Sequence, residues 1–248
     1  MFIDTHCHLS IEDYDDIDKV VKEDIEAGVK KLIVSACTKN TFEEALALAK
    51  KYDSIYVTLG FHPSEVDTTD ADLELLKELL KTDKVVGVGE IGLDYHYGKD
   101  DIDMQKELFE KQLVIAEKLN LPVVIHSRDA VNDTIETLKK HNVKGVIHCF
   151  SGSVETADIY IRLGYKLGIG GVVTFKNSNL YKVVEHVGLD NIVLETDSPY
   201  LAPEPFRGKH NSSKYIPVIA TKIADILNVS LSEVEDKTTM TASNLFDL

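Results

Sequence analysis

The run VVGVGEIGLD (85–94) can be read in two ways, and the choice decides the fold. Its centre, GVGEIG (87–92), matches the pattern G-x-G-x-x-G. In an open doubly wound sheet that pattern opens a helix whose N-terminus holds a pyrophosphate. Here LDYHYGKDD (93–101) follows, which starts no helix, and Glu90 would repel a phosphate. The run therefore reads as a β-strand with a carboxylate near its end.

Seven further runs share this texture: FIDTHCHL (2–9), KLIVSAC (31–37), IYVTLGFHP (55–63), PVVIHSRD (122–129), GVIHCFSG (145–152), KLGIGGVVT (166–174) and NIVLETDSP (191–199). Amphipathic stretches separate them. In MQKELFEKQLVIAEKL (104–119), Leu108, Val114, Ile115 and Leu119 fall close to helical spacing. Thr41 with Glu44, and Ser232 with Glu235, have the spacing of capping boxes. Eight strands alternating with helices give βαβ units and a parallel sheet. In a chain of 248 residues this predicts a single-domain (β/α)8 TIM barrel over 1–248, with an open doubly wound sheet as the alternative. The longest irregular segments, 94–103 and 198–214, follow the fourth and eighth strands, and long loops in compact domains are often functional.

The totals narrow the function classes. No apolar run reaches about 18 residues, so no membrane span is expected. The N-terminus lacks the basic-then-apolar order of a signal peptide. Cys7, Cys37 and Cys149 make an odd count in apolar segments, which suggests reduced thiols and a cytoplasmic protein. A net charge of −15 argues against gripping nucleic acid or anionic lipid by bulk attraction. It leaves room for a local basic patch, or for a metal site that supplies the positive charge.

Ligand-type residues collect at the ends of the strand runs. His6 and His8 lie in the first, Glu90 in the fourth, His126 in the fifth, His148 in the sixth and Asp197 in the eighth. In a parallel barrel these ends share one face, the face that carries active sites. Strand residues two apart point the same way, roughly 7 Å apart. His6 and His8 therefore both face inward, and Cys7 faces the helix shell. A lone strand histidine is ordinarily a core or surface residue. Six ligand-type residues at equivalent positions are different, because burying them without cations would cost several kcal/mol. Imidazole and carboxylate together suit zinc, manganese, iron or magnesium. The set exceeds what one tetrahedral ion needs, and the two oxygens of Glu90 could bridge two ions. No G-x-S-x-G elbow accompanies Ser127 or Ser151, so a serine hydrolase is not expected. His62, Arg128 and Asp129 lie just past strand ends. His96, His141 and His186 read as ordinary loop or helix residues.

Taken in order, IDTHCHL, GFHP, GEIGLDY, HSRDA, HCFSG and ETDSPYLAP resemble the TatD family of metal-dependent deoxyribonucleases, within the amidohydrolase-like barrels. The resemblance covers essentially the whole chain. It implies two divalent ions (magnesium, manganese or zinc), with His6, His8 and Asp197 around one, His126 and His148 around the other, and Glu90 bridging. It also implies that Asp197 handles the proton of the attacking water, and that His62 and Arg128 line the substrate pocket. The implied activity is hydrolysis of DNA phosphodiesters, often from 3′ ends and on single strands, by a protein expected to be monomeric. The family loop R-G-K-x-N-x-P appears here as RGKHNSS, with Ser213 in place of the proline, which predicts a less rigid loop. Arg207 and Lys209 in that loop, with Lys214 beyond it, are the candidate cationic contacts to DNA.

Fold does not fix substrate. A hydrolase of another ester or amide, such as an aminoacyl ester, would use the same barrel. A metal-dependent binding protein without turnover is a third reading, disfavoured by a carboxylate placed to act as base.

Overall fold

The computed structural model describes residues 1–98 and 100–248. Eight strands, β1 (Phe2–Cys7), β2 (Val29–Ala36), β3 (Ile55–Leu59), β4 (Val85–Asp94), β5 (Val123–Arg128), β6 (Gly145–Ile147), β7 (Tyr165–Ile169) and β8 (Ile192–Leu194), pair in sequence order, all parallel. The seam from β8 back to β1 is closed by side chains and the loop beyond β8. Thr5 donates to the Leu194 carbonyl at 3.0 Å, Thr196 N–H to Asp4 at 3.0 Å, and Asp197 N–H to the His6 carbonyl at 3.0 Å. The result is the (β/α)8 barrel that the alternating pattern predicts.

Helices α1 (Ile17–Glu26), α2 (Lys39–Lys51), α3 (Asp70–Leu79), α4 (Ile102–Leu119), α5 (Val131–Leu138), α6 (Val154–Arg162), α7 (Leu180–Val187), α8 (Ile216–Leu227) and α9 (Leu231–Phe246) surround it. Strand residues such as Val57, Ile125 and Leu167 pack outward with helix residues such as Phe42, Phe109 and Tyr160. A second, smaller core fills the lumen: Ile3, Ile33, Val86, Val124, Val146 and Val193 stack under Ala242 and Phe246 of α9. That helix plugs the N-terminal mouth, where Thr239 donates to the Met1 carbonyl. Among the described residues, no helix is long and apolar enough to cross a membrane.

Two expectations about helix starts are corrected. The cap of α2 is Thr38, with Thr41 as its reciprocal partner, so Thr41 lies inside the helix. The cap of α9 is Ser230, which accepts from Glu233 N–H, so Ser232 is likewise inside. In both, the hydroxyl residue earlier in the chain takes the cap position: Ser230 accepts a free N–H of α9, and the Thr38 N–H of α2 is taken by Thr41 Oγ1. The run 166–174 also divides: β7 ends at Ile169, and Gly171–Thr174 is a 3-10 turn.

Two irregularities position the site. Between Asp4 and Cys7, β1 spends three residues against two on β2, and between Val88 and Ile91, β4 does the same against β5. Each is a bulge, which resets which side chains face in. Ile3 therefore faces the lumen while Cys7, four residues on, packs outward with the helices. The glycines of GVGEIG serve this packing. Gly92 has φ 144°, and a Cβ there would sit 2.0 Å from the His126 carbonyl oxygen.

Candidate metal centre

The six ligand-type residues meet at the C-terminal mouth. His6 sits in β1 and His8 follows it; Glu90 sits in β4, and His126 in β5. His148 follows β6, and Asp197 lies beyond β8 in a left-handed backbone, φ 54°. His6, Glu90 and His148 are buried, while His8, His126 and Asp197 are half-buried at the opening.

The geometry divides the set at Glu90. On one side, His6 Nε2 and His8 Nε2 are 3.3 Å apart. His6 Nε2 lies 3.5 Å from Glu90 Oε2 and 3.6 Å from Asp197 Oδ1. His8 Nε2 lies 3.9 and 3.6 Å from the same two oxygens. The two imidazole nitrogens with either carboxylate oxygen make a triangle whose centre is about 2.0–2.1 Å from its corners, close to zinc–nitrogen and zinc–oxygen bond lengths. On the other side, Glu90 Oε1 lies 2.6 Å from His126 Nδ1 and 2.8 Å from His148 Nε2. The ligand-type atoms therefore fall into two sets, one at each oxygen of Glu90.

Acceptors stand behind three of the imidazoles. His6 Nδ1 meets Ser35 Oγ at 3.3 Å, His8 Nδ1 the Ser35 carbonyl at 3.1 Å, and His126 Nε2 the Asp94 carboxylate at 3.2 Å. Ser35 is in turn 2.8 Å from Thr58. Fixing one ring nitrogen fixes the tautomer and aims the other.

Protonation follows burial and proximity. Burial opposes the charge of Glu90, but His148 and His126 against it hold its carboxyl well below the usual carboxylate range. Burial opposes the charge of His148 as well, yet Glu90 lifts that imidazole up to about 9. His126 is raised despite its burial, through hydrogen bonds to Asp94 and Glu90. His6, buried and stacked on His148 with ring centroids 4.0 Å apart, is held well below its ordinary value by burial and then by the His148 charge. These shifts favour protons on His126 and His148 beside the Glu90 carboxylate, and a divalent ion bound there would compete with them.

The remaining candidates take varied places. The His62 ring packs edge-on to His126 at 4.8 Å, and its Nδ1 bonds Ser64 at 2.8 Å. Beside it a cavity of about 460 Å³ opens, lined also by Asp94, Tyr97 and Gln105. Arg128 is exposed, its guanidinium 5.4 Å from the Tyr97 ring. Arg207 and Lys209 are exposed in the loop after β8, over the rings of Phe175 and Phe206. Among the described residues none of these three cations forms an ion pair with a carboxylate. Lys214 differs, since Glu23 holds it at 2.7 Å. His141 and His186 pair with Glu117 and Asp158, and His96 with Asp129.

Ser213 does not leave its end of the loop free. Asn211, Ser212 and Ser213 are buried. Asn211 donates to the Thr196 carbonyl at 2.9 Å, and Ser212 donates to Asp24 at 2.8 Å. Hydrogen bonds supply the restraint that a proline ring would give. Cys7 faces away from the centre, its thiol 3.6 Å from the Ile33 carbonyl. Sequence reasoning missed Cys37, whose thiol lies 3.6 Å from Glu90 Oε2, and also Ser35, Asp94 and Glu195. The only signal for the last two was a carboxylate at the end of an apolar run, in GLD and in LETD.

Residues 3–247 match the family model described as TatD related DNase. The chain is 40% identical over 252 residues to the uncharacterized metal-dependent hydrolase YabD of Bacillus subtilis, covering 99% of each. It is 35% identical over 254 residues to the uncharacterized metal-dependent hydrolase YcfH of Escherichia coli, covering 99% of this chain and 96% of that one. Among solved structures it is similar to the TatD homolog YjjV of Escherichia coli, with a TM-score of 0.92, 33% identity, and coverage of 100% and 98%.

Proposed function

The chain belongs to the TatD family of metal-dependent hydrolases, and from that premise we propose that it cleaves DNA phosphodiester bonds at a two-cation centre formed by His6, His8, Glu90, His126, His148 and Asp197. The observation that carries the reading is the division at Glu90, whose two oxygens face two separate ligand sets. Two divalent cations, when bound, would offset phosphate charge and favour deprotonation of an attacking water.

The chain's own residues supply the rest. Asp197, half-buried at the mouth with Oδ1 toward His6 and His8, accepts the proton of the attacking water. The water oxygen bonds to phosphorus, the bond to the leaving sugar oxygen breaks, and the proton passes on to that oxygen. Glu90 holds the two halves of the centre in register. His62 and Arg128 flank the opening and orient the nucleotide. Arg207 and Lys209 meet phosphates further along the strand. These cationic contacts are few on a chain of net charge −15, which fits a substrate held over a short stretch. A single-stranded 3′ end is such a substrate.

The test is turnover of end-labelled single- and double-stranded oligonucleotides by chelator-stripped protein resupplied with magnesium, manganese or zinc. Aryl phosphodiesters, carboxylic esters and an aminoacyl ester run alongside. Metal-dependent shortening of single strands from the 3′ end is expected. Turnover of the carboxylic esters without any cleavage of DNA would move the assignment to the alternative hydrolase.

A further inference from the structure

Glu195 follows β8 and is fully buried, and no step above uses it. Its Oε1 accepts the backbone N–H of Cys149, the residue after His148. Its Oε2 has no hydrogen-bond partner among the described residues. Room for it is made by Gly168 in β7, where a Cβ would lie 2.1 Å from Oε2. A buried carboxylate left half-satisfied is costly. Facing it is a second incomplete group. His148 Nδ1 is buried without a hydrogen-bond partner among the described residues, 3.7 Å from Glu195 Oε1, while its Nε2 points to Glu90. The other three histidines of the centre each have an acceptor behind the ring at 3.1–3.3 Å.

We propose that Glu195 is the positioning residue of His148: it accepts a hydrogen bond from the Nδ1–H of that ring and so leaves the Nε2 lone pair to face a cation. The inference rests on His148 being a ligand, as in the reading above. Ligation at Nε2 leaves the single proton of the neutral ring on Nδ1, and Glu195 Oε1, 3.7 Å from that nitrogen, is the carboxylate oxygen placed to accept from it. The centre becomes asymmetric. The His126–His148 side is backed by two carboxylates, Asp94 and Glu195. The His6–His8 side is backed by a serine hydroxyl and a carbonyl. Loss of the Glu195 charge therefore weakens one cation and spares the other.

The experiment titrates cobalt(II) into chelator-stripped protein against a competing chelator, for wild type and Glu195→Gln. In wild type two binding constants are expected. In the variant one falls 10–100-fold, the usual effect of losing such an outer partner, and the other changes less than threefold. Two constants that both hold, or that fall together, overturn the proposal. A second measurement needs no variant: nitrogen-15 histidine spectra of the zinc-loaded wild type. His148 is expected to carry its proton on Nδ1, in slow exchange with solvent. A proton on Nε2 overturns the proposal even if Glu195→Gln fails to fold. Wild type that binds no cation would instead sink the metal-centre reading itself, and this inference with it.

Discussion

Replacing Glu90 by glutamine is the sharpest perturbation of the proposed centre. The side-chain volume is kept, so packing is not at issue. What changes is one oxygen and one charge. The carboxylate now faces His126 at 2.6 Å and His148 at 2.8 Å through one oxygen, and His6 at 3.5 Å through the other. An amide can satisfy one of these sets with its oxygen, but it presents N–H to the other. Removing one member of a buried charge pair costs about 3–5 kcal/mol. At 1.4 kcal/mol per decade that is roughly two to three and a half orders of magnitude in affinity for one ion. Elemental analysis after gel filtration in buffered micromolar metal should find two ions in wild type and about one in Glu90→Gln. Turnover of a small aryl phosphodiester should fall by a similar or larger factor. Two ions retained at wild-type affinity would show that Glu90 bridges nothing, and the division of the site into two halves would lose its basis.

Changing Arg207 and Lys209 together to alanine should raise KM for single-stranded DNA about tenfold and lower the slope of its salt dependence by up to two phosphate contacts; kinetics of the aryl phosphodiester, run as control, should not move, and equal loss on both substrates would mean the loop supports the centre instead. A second prediction concerns pH: burial pushes Asp24, which anchors Ser212, up to about 6. The folded state then holds this proton after the unfolded chain has released it near pH 4, so stability contributed here is full below that pH and is lost as pH rises through 6, by about 2–3 kcal/mol. Denaturant midpoints of Asp24→Asn minus wild type should therefore shift in favour of the variant between pH 4 and pH 8, and a pH-independent difference would refute the account.

Much of the barrel was legible because strand and helix periods differ, and β4 ends at Asp94 as its sequence run does. The runs that misled are those where an apolar stretch outlasts its ladder. GVIHCFSG stops pairing at Ile147, because Cys149 turns left-handed at φ 47°, and NIVLETDSP stops at Leu194, three residues before Asp197 turns the same way. Both turns swing a ligand-type side chain over the mouth. Hydropathy cannot see them, since Cys149 and Phe150 are as apolar as strand residues. The same blindness made Gly171–Thr174 look like strand, because Val173 is buried in either conformation.

The six ligand-type residues that the fold brings together were legible by chemical type at equivalent strand ends, and the groups behind them were not, for a geometric reason. Ser35 meets His6 and His8 only because β2 runs beside β1 in one register, and the Glu195 carboxylate sits near His148 with room made for it by Gly168 of β7. Neighbours across strands leave no mark in local sequence. The alternation argument itself shows how narrow the margin was. Counted inward from Ile3, which faces the lumen, regular alternation sends Cys7 to the centre and His6 and His8 to the helices. Counted back from the ligands, it gives the arrangement found. The two counts disagree by one residue, and the bulge between Asp4 and Cys7 absorbs that residue. One strand can thereby contribute apolar packing at the plugged end of the barrel and imidazoles at the open end. The second bulge, between Val88 and Ile91, brackets Glu90 itself. Restoring regular pairing at either place would turn candidate ligands out of the centre without altering any of the six residues.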